Sequence, residues 1–262
     1  MQHKLTAVQW NIGGGLIRQP DAEPANRGDY NQEDVSYIID RLGQYDVDII
    51  TMQETHSDDR RVQVEQIATE LGYHWIEQAY APSHIMNGQW LGQAVLSRLP
   101  FASEPEPIAL LTPRDWQAIQ DNGEIWGWRN RGVTTADLAV ADDVRLSVAT
   151  LHLPVFKRLG HDPSGPEAHE VLREVQSRVL QGVGAVALLQ GDFNIDDANM
   201  RGYLGDLFVC NFRQHIQDHV TTPNGLRYDH VLSRGAPIVT SRVDPGVLTD
   251  HYPLISEIAI PV

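Results

Sequence analysis

The sequence predicts a layered α/β domain, because segments that resemble strands alternate along the chain with segments that resemble helices. Several runs rich in apolar and β-branched residues are typical of buried strands. The clearest of these runs are residues 5–10, 47–52, 145–151 and 185–189. Strands and helices that alternate in this order favour sheets covered by helices.

Three helices are expected in the intervening segments. They are predicted at residues 35–42, where apolar residues recur at helical spacing, at residues 61–71, which end at Gly72, and at residues 167–180. The chain has 262 residues, 42% of them apolar, which is ample for the core of an α/β domain. No linker, repeat or low-complexity tract divides it, so we expect one domain over residues 1–262.

Each strand-like run leads into a polar residue whose side chain is suited to catalysis. These residues are Asn11, which precedes three glycines, Glu54, His152 and Asp192. Asp229 lies in another short strand candidate, residues 228–232, and Asp250 and His251 stand side by side near the C-terminus. Any one of these signals is weak, whereas all of them in this order indicate a site built from strand ends.

The tetrapeptide Gly-Asp-Phe-Asn at residues 191–194 is the most informative of these motifs. It places the carboxylate of Asp192 and the carboxamide of Asn194 two residues apart, so both can point the same way. This pair suits hydrolysis of a phosphate ester, in which the acid activates a water and the amide binds a phosphoryl oxygen. An Asx-rich turn without chemistry is the alternative interpretation of the motif alone.

The ordered set of motifs resembles the endonuclease/exonuclease/phosphatase superfamily, which includes DNase I, exonuclease III and the sphingomyelinases. The resemblance runs from residues 10–11 to His251 and includes residues 92–98, which are similar to a glycine-led strand that ends in Ser-Arg. It implies a DNase I-like four-layer α/β sandwich, in which two packed mixed β-sheets are flanked by helices. The site is expected where strand ends from both sheets meet.

The resemblance also implies a metal site. Glu54 is the principal expected ligand, with Asn11 beside it, and Asp250 completes or shares the coordination. Carboxylate and amide oxygens suit Mg²⁺ or Mn²⁺. A P-loop is excluded as an alternative explanation of Asn11 and its glycines, because no Gly-Lys-Ser/Thr sequence follows them.

Catalytic roles follow from the same resemblance. Asp192 and Asn194 are expected to position the attacking water for in-line displacement. His251, oriented by Asp229, contacts the phosphoryl group or acts as a base, and His152 donates to the phosphate or protonates the leaving group. The sequence leaves open which histidine is the acid and which is the base.

Charge and irregular segments bear on the substrate. The net charge of −15 argues against high-affinity, non-specific coating of DNA, although not against turnover at a metal site. The irregular stretch at residues 100–130 interleaves tryptophans with arginines, which suits stacking on bases and contact with a backbone. We expect Arg98, Trp128 and Arg131 to contact the substrate. The alternative is that the tryptophans only pack this loop onto the domain.

The predicted activity is that of a divalent-metal-dependent phosphodiesterase. The sequence Thr-Leu-His-Leu-Pro around His152 resembles the histidine-bearing branch of the superfamily, which includes DNase I, sphingomyelinases and deadenylases. DNA or RNA is the favoured substrate, with a lipid or a small or inositol phosphate ester as the alternative. A catalytically inactive binding scaffold is a more distant alternative.

Cysteine usage and hydropathy suggest a location. The single cysteine, Cys210, excludes an internal disulfide framework. No apolar run is long enough to cross a bilayer, and no apolar signal core stands near the N-terminus. We therefore expect a cytoplasmic protein without stable membrane insertion, and we infer no obligate protein partner.

Overall fold

The computed structural model describes residues 2–215 and 219–261, and the strands in this part of the chain form two large sheets. The strands, numbered in chain order, are β1 (Gln2–Asn11), β2 (Leu16–Ile17), β3 (Gln32–Glu33), β4 (Ile49–Ser57), β5 (His74–Pro82), β6 (Trp90–Ser97), β7 (Ala109–Leu110), β8 (Gln117–Ile119), β9 (Ile125–Gly127), β10 (Gly132–Ala141), β11 (Val144–His152), β12 (Ala187–Asp192), β13 (Arg213–Gln214), β14 (Asp229–Arg234), β15 (Ile238–Val243) and β16 (Leu254–Pro261). The α-helices are α1 (Val35–Tyr45), α2 (Gln63–Leu71), α3 (Pro166–Gly182) and α4 (Gly205–Val209).

Both large sheets have six strands and are mixed. The first has the order β15-β16-β1-β4-β6-β5 and the second the order β13-β14-β12-β11-β10-β7. Each contains one parallel pair, β1 with β4 in the first and β11 with β12 in the second. A helix, α1 or α3, lies between the members of each pair in sequence, as a crossover between parallel strands requires.

Three hydrophobic clusters separate the layers. One, which includes Leu5, Val148 and Leu188, lies between the two sheets. A second packs α1 and α2 against the outer face of the first sheet, and a third packs α3 and α4 against the outer face of the second. The prediction of a four-layer α/β sandwich is confirmed. The single domain over residues 1–262 stays a prediction.

Local sequence explains where the helices begin and end. The Asp34 side chain caps α1 by accepting a hydrogen bond from the Tyr37 amide at 2.9 Å. Gly72 ends α2 in the left-handed conformation, with φ of 73°. Pro166 occupies the first turn of α3, where its missing N–H costs nothing. The three helices expected from apolar spacing are therefore present.

Side chains that face the space between the sheets change in character along each strand. On β1, Leu5 and Ala7 belong to the apolar cluster between the sheets, whereas Gln9 and Asn11 follow at alternate positions and are buried polar residues. On β12 the same succession leads from Leu188 to Gln190 and then to Asp192. One end of the space between the sheets is therefore apolar and the other is polar.

Asp229 and His251 stand before the bodies of their strands rather than after them. Asp229 begins β14, which starts one residue later than the strand candidate at residues 228–232, and His251 lies in the turn before β16. They reach the same edge as Asp192 because β14 runs antiparallel to β12, and β16 runs antiparallel to β1. The stretch at residues 100–130 is also less irregular than expected, since it contains β7 and the hairpin of β8 and β9.

Within the described residues, no helix combines the length and the apolar character that crossing a bilayer requires. The cytoplasmic location stays a prediction.

The parallel pair of β11 and β12 leads to a prediction about stability. Gly191 pairs with Leu151, and a methyl group added at Gly191 would overlap the Leu151 carbonyl oxygen. We expect Gly191→Ala to lower the free energy of unfolding by about 1–3 kcal/mol, the usual cost of overpacking. Urea-induced unfolding measures this. Gly205→Ala is the control, because nothing lies within 4 Å of an added Cβ there. Equal stability of both variants and the parent would contradict the close packing at Gly191.

Candidate active site

A cleft of about 250 Å³ opens at the polar edge shared by the two sheets. Seven of the eight residues expected to bind metal or act in catalysis line it: Asn11, Glu54, His152, Asp192, Asn194, Asp250 and His251. The eighth, Asp229, is fully buried behind His251. The strand ends therefore bring the predicted set of residues together.

Asp192 lies at the centre of this group. Its Oδ2 accepts a hydrogen bond from Asn11 Nδ2 at 2.9 Å, and its Oδ1 accepts one from the backbone N–H of Asn194 at 2.9 Å. The Nε2 atoms of His152 and His251 lie 3.6 and 3.7 Å from Asp192 Oδ2. Asn11 and Asp192 come from different sheets, so their hydrogen bond also ties the sheets together at this edge.

The side chain of Asn194 is held with its carboxamide oxygen available to the cleft. Its backbone is left-handed, with φ of 49°, a conformation that asparagine tolerates better than most residues. Its Nδ2 donates to the Leu153 carbonyl oxygen at 2.8 Å. This bond fixes the carboxamide, so its oxygen is the atom available to a water or a substrate in the cleft.

Glu54 points into the cleft because β4 is irregular at this position. The register between β4 and β6 shifts between Gln53 and Thr55, and Glu54 has φ of 54°. A bulge of this kind re-aims a side chain within a strand, and β4 continues beyond it to Ser57. Burial, and then the nearby carboxylate of Asp250, raise the pKa of Glu54 to about 7. Glu54 and Asp250 are thus acids placed close enough to repel each other.

Asp250 lies against the glycine-rich turn that follows Asn11. A Cβ atom at Gly13, where φ is 53°, would lie 3.0 Å from Asp250 Oδ1, so glycine allows this close approach. The turn at residues 249–251 is anchored from below by Trp10, whose indole N–H donates to the His251 carbonyl oxygen at 3.1 Å. Trp10 itself is fully buried.

His251 forms a buried ion pair. Its Nδ1 lies 2.8 Å from Asp229 Oδ2, and Gln9 Nε2 donates to the other oxygen of Asp229 at 3.1 Å. Burial lowers the pKa of His251, but the carboxylates of Asp229 and Asp192 outweigh burial and raise it to about 10. His251 is therefore an imidazolium at neutral pH.

His152 is in the opposite state. Burial, and then the positive charge of Arg131, hold the pKa of His152 well below its ordinary value, so the ring is neutral. Its Nδ1 lies 3.1 Å from the hydroxyl of Tyr80, whose pKa is raised by burial. We assign the Tyr80 hydroxyl as the donor to Nδ1. The proton on Nε2 then faces the carboxylates of Asp192 and Glu54.

Of the three residues expected to contact the substrate, one lies in the cleft and two do not. Arg131 lines the cleft and is 6% exposed. Arg98 does not reach the cleft, because β4 and β6 are antiparallel and Arg98 follows the far end of β6; there it forms an ion pair with Asp46 at 2.7 Å. Trp128 packs edge-to-face on Trp116, with ring centroids 5.5 Å apart, against the cluster beneath α3. The predictions for Arg98 and Trp128 are therefore corrected.

Other residues of the cleft were not singled out from the sequence. Tyr80 lies near the C-terminal end of β5, and Tyr30 lies in the segment between β2 and β3. No sequence motif marks either residue. Trp126, Arg129 and Arg158 also line the cleft, whereas the expected substrate contact, Trp128, does not. A short tryptophan-rich segment does not reveal which ring faces the core.

Acidic and imidazole groups here are also close enough to hold a metal ion. Ligand atoms of Asp192, Asp229 and His251 lie within 4.8 Å of one another. Both ring nitrogens of His251, however, already face carboxylates, so the three residues are better described as a hydrogen-bonded ion pair next to Asp192. Glu54, Asn11 and Asp250 remain the oxygen-rich side of the cleft.

A four-layer sandwich with acids, amides and imidazoles at the common edge of its sheets defines a class of phosphoester hydrolases. The chain belongs to the endonuclease/exonuclease/phosphatase family, whose model matches residues 8–251. Members of this family are hydrolases that act on phosphoester bonds. No curated protein matches the chain by sequence.

Several solved structures are similar to this fold. An endonuclease/exonuclease/phosphatase from Beutenbergia cavernae is 19% identical, with a TM-score of 0.73 over 98% of this chain and 72% of that one. ANGEL2, a 2′,3′-cyclic phosphatase in complex with adenosine-2′,3′-vanadate, is 11% identical, with a TM-score of 0.64 over 100% and 97%. The human nocturnin catalytic domain with bound sulfate is 14% identical, with a TM-score of 0.61 over 98% and 96%.

The ion pair of His251 and Asp229 yields a prediction. In Asp229→Asn, which removes the charge and keeps the shape, the pKa of His251 should fall from about 10 towards its ordinary value of 6.5. NMR of the imidazole nitrogens against pH measures this. A raised pKa stabilises the fold fully below pH 6.5 and progressively less as pH rises towards 10, so the stability lost in the variant should shrink over that range. Titration of His251 near pH 6.5 in the parent protein would contradict the ion pair.

Proposed function

We propose that this protein is a divalent-metal-dependent phosphodiesterase, which hydrolyses nucleic acid by in-line attack of water on phosphorus. The observation that carries the proposal is the convergence on Asp192. Its buried carboxylate accepts hydrogen bonds from the side-chain amide of Asn11, which belongs to the other sheet, and from a backbone N–H. Two imidazoles, one charged and one neutral, lie beside it. Such a set can position a water and a phosphoryl group together.

The residues present fit a hard divalent cation. Glu54, Asn11 and Asp250 offer carboxylate and amide oxygens, the ligands preferred by Mg²⁺ and Mn²⁺. The raised pKa of Glu54 reflects carboxylates gathered in a largely buried place, where a cation would offset their repulsion. A bound ion would supply Lewis acidity to the phosphoryl oxygen and would stabilise the leaving oxyanion.

Asp192 and Asn194 act on the water. The Asp192 carboxylate accepts hydrogen bonds from Asn11 and from the Asn194 amide, which fix its direction. It receives the proton of the attacking water as the new bond between that oxygen and phosphorus forms and the bond to the leaving oxygen breaks. The carboxamide oxygen of Asn194 accepts a second hydrogen bond from the same water and so aims it.

The two histidines act on the phosphoryl group in different ways. His251, charged and held by Asp229, donates a hydrogen bond and a positive charge to an oxygen that gains negative charge in the transition state. His152, neutral and held by Tyr80, donates from Nε2 to another phosphoryl oxygen. The buried guanidinium of Arg131 adds positive charge beside them.

Hydrolysis of a lipid phosphodiester is the second candidate. Phe156 is fully buried and therefore cannot serve as a membrane-docking residue. Ile119 and Ile125 pair across the β8–β9 hairpin and are 76% and 65% exposed. An exposed apolar pair beside the cleft residue Trp126 is suited to contact with a lipid surface.

The proposal predicts metal-dependent turnover that Asp192 controls. Labelled single- and double-stranded DNA and RNA, sphingomyelin vesicles and bis(p-nitrophenyl) phosphate are incubated with Mg²⁺, Mn²⁺ or EDTA. We expect cleavage of oligonucleotides that EDTA abolishes. Asp192→Asn should lower kcat by about 10²–10⁴-fold, the usual contribution of general acid–base catalysis.

Asp142→Asn is the matched control, because Asp142 is exposed in the turn between β10 and β11, at the end of the second sheet opposite to His152. Turnover of sphingomyelin in place of oligonucleotides would favour the lipid candidate. Metal-dependent turnover that survives Asp192→Asn would contradict the assigned site. No turnover of any phosphoester would favour an inactive scaffold.

A further inference from the structure

Part of the cleft wall is built from arginine and tryptophan, on elements other than those that carry the acids. Trp126 lies on β9 and Arg129 follows it, while Arg158 lies in the 3-10 helix Phe156–Leu159. The guanidinium carbons of Arg158 and Arg129 lie 4.2 and 5.2 Å from the centroid of the Trp126 ring. All three residues line the same cleft as Asp192.

Positive charge is concentrated on this side of the cleft. Arg131, which also lines this cleft, is 6% exposed, and its Nε has no hydrogen-bond partner. Among the described residues, neither Arg129 nor Arg131 forms an ion pair with a carboxylate, in a chain that has 35 acidic residues and a net charge of −15. Burial, and then the charge of Arg131, lower the pKa of Arg129. An anion bound beside them would relieve this repulsion.

The ring of Trp126 packs against two guanidinium groups, so we assign it to the arginines and not to stacking on a nucleobase. A guanidinium that stacks on an aromatic ring uses its face, and its N–H groups remain directed outwards in its own plane. With two guanidinium groups over the ring, the tryptophan acts as a platform that orients them. Their forked N–H donors match the geometry of phosphate oxygens.

We propose that Arg129, Arg158 and Trp126 form a second phosphate site, which binds a phosphate group adjacent to the one that is cleaved. The inference rests on the proposed function and specifies its substrate: a short nucleotide chain with a second phosphate within reach of the cleft. A terminal phosphomonoester fits this site better than an internal phosphodiester, because it carries more negative charge and the cleft of about 250 Å³ is small.

Binding tests this site without any need for turnover. The affinities of adenosine 5′-monophosphate and adenosine 3′,5′-bisphosphate for the full chain in Mg²⁺ are measured by calorimetry. We expect the bisphosphate to bind about 10-fold more tightly, as one charge-assisted phosphate contact would give. Arg129→Gln should remove most of this difference. Equal affinities in the parent protein, or equal weakening of both ligands in the variant, would overturn the proposal.

Two further variants guard against loss of folding and non-specific charge effects. Arg145→Gln removes the same charge from an exposed position on β11 and should leave the preference for the bisphosphate intact. Arg129→Lys keeps the charge but loses the fork, so an intermediate preference is expected. Thermal unfolding of each variant shows whether the fold is retained. Loss of the preference in Arg145→Gln would also overturn the proposal.

Kinetics then distinguish the two sources of a second phosphate. The substrates are a dinucleotide, the same dinucleotide with a terminal phosphate, and a trinucleotide whose second phosphate is internal. We expect the terminal phosphate to lower KM by about 10-fold in the parent but not in Arg129→Gln. The same gain from the trinucleotide would assign the site to an internal phosphodiester. Cleavage with equal KM for all three would overturn the second site and leave the proposed function intact. Tight binding of the bisphosphate without cleavage of any substrate would support the second site and contradict the proposed function.

Discussion

The arrangement of this molecule depends on a buried polar layer that joins the two sheets directly beneath the active-site edge. Gln53 Nε2 donates to Gln9 Oε1 at 3.0 Å within the first sheet and to Thr150 Oγ1 at 2.8 Å in the second, and Gln9 also donates to Asp229. These side chains are fully buried, so an unmade hydrogen bond among them would cost the full desolvation of a polar group. The sheets are therefore held in the one relative position in which Asn11 also meets Asp192.

The electrostatic pattern of the site follows from that position. The layer holds Asp229 below His251, and this buried acid keeps the imidazole charged, while His152 remains neutral in a pocket closed by Tyr80 and Arg131. Two histidines at similar depth therefore differ in charge because their nearest neighbours differ. Carboxylates gather at another side of the cleft, and arginines stacked on a tryptophan gather on elements outside the polar layer. The cleft is polarised, as hydrolysis of an anionic ester requires.

Most of the fold and of the site could be predicted where the sequence pattern coincides with strand geometry. Asp192 and His152 could be predicted because an apolar run indicates a buried strand, and the end of such a strand lies at an edge of the sheet. The bulge that turns Glu54 into the cleft left no sign in the sequence. Arg98 was misplaced because its strand is antiparallel to β4, a fact of sheet topology that the local motif does not contain. Tyr80 could not be found, since its role depends on tertiary proximity to His152 alone.

The central claim is that water attacks phosphorus directly in a single displacement. The most direct test is hydrolysis of a phosphorothioate diester of known configuration in ¹⁸O-labelled water, with analysis of the product by mass spectrometry and of its stereochemistry at phosphorus. The account predicts that one labelled oxygen enters the phosphoryl product, that the alcohol product carries none, and that the configuration at phosphorus is inverted. Retention of configuration would indicate a covalent enzyme intermediate, and label in the alcohol would indicate attack at carbon; either result would contradict the roles assigned to Asp192 and Asn194.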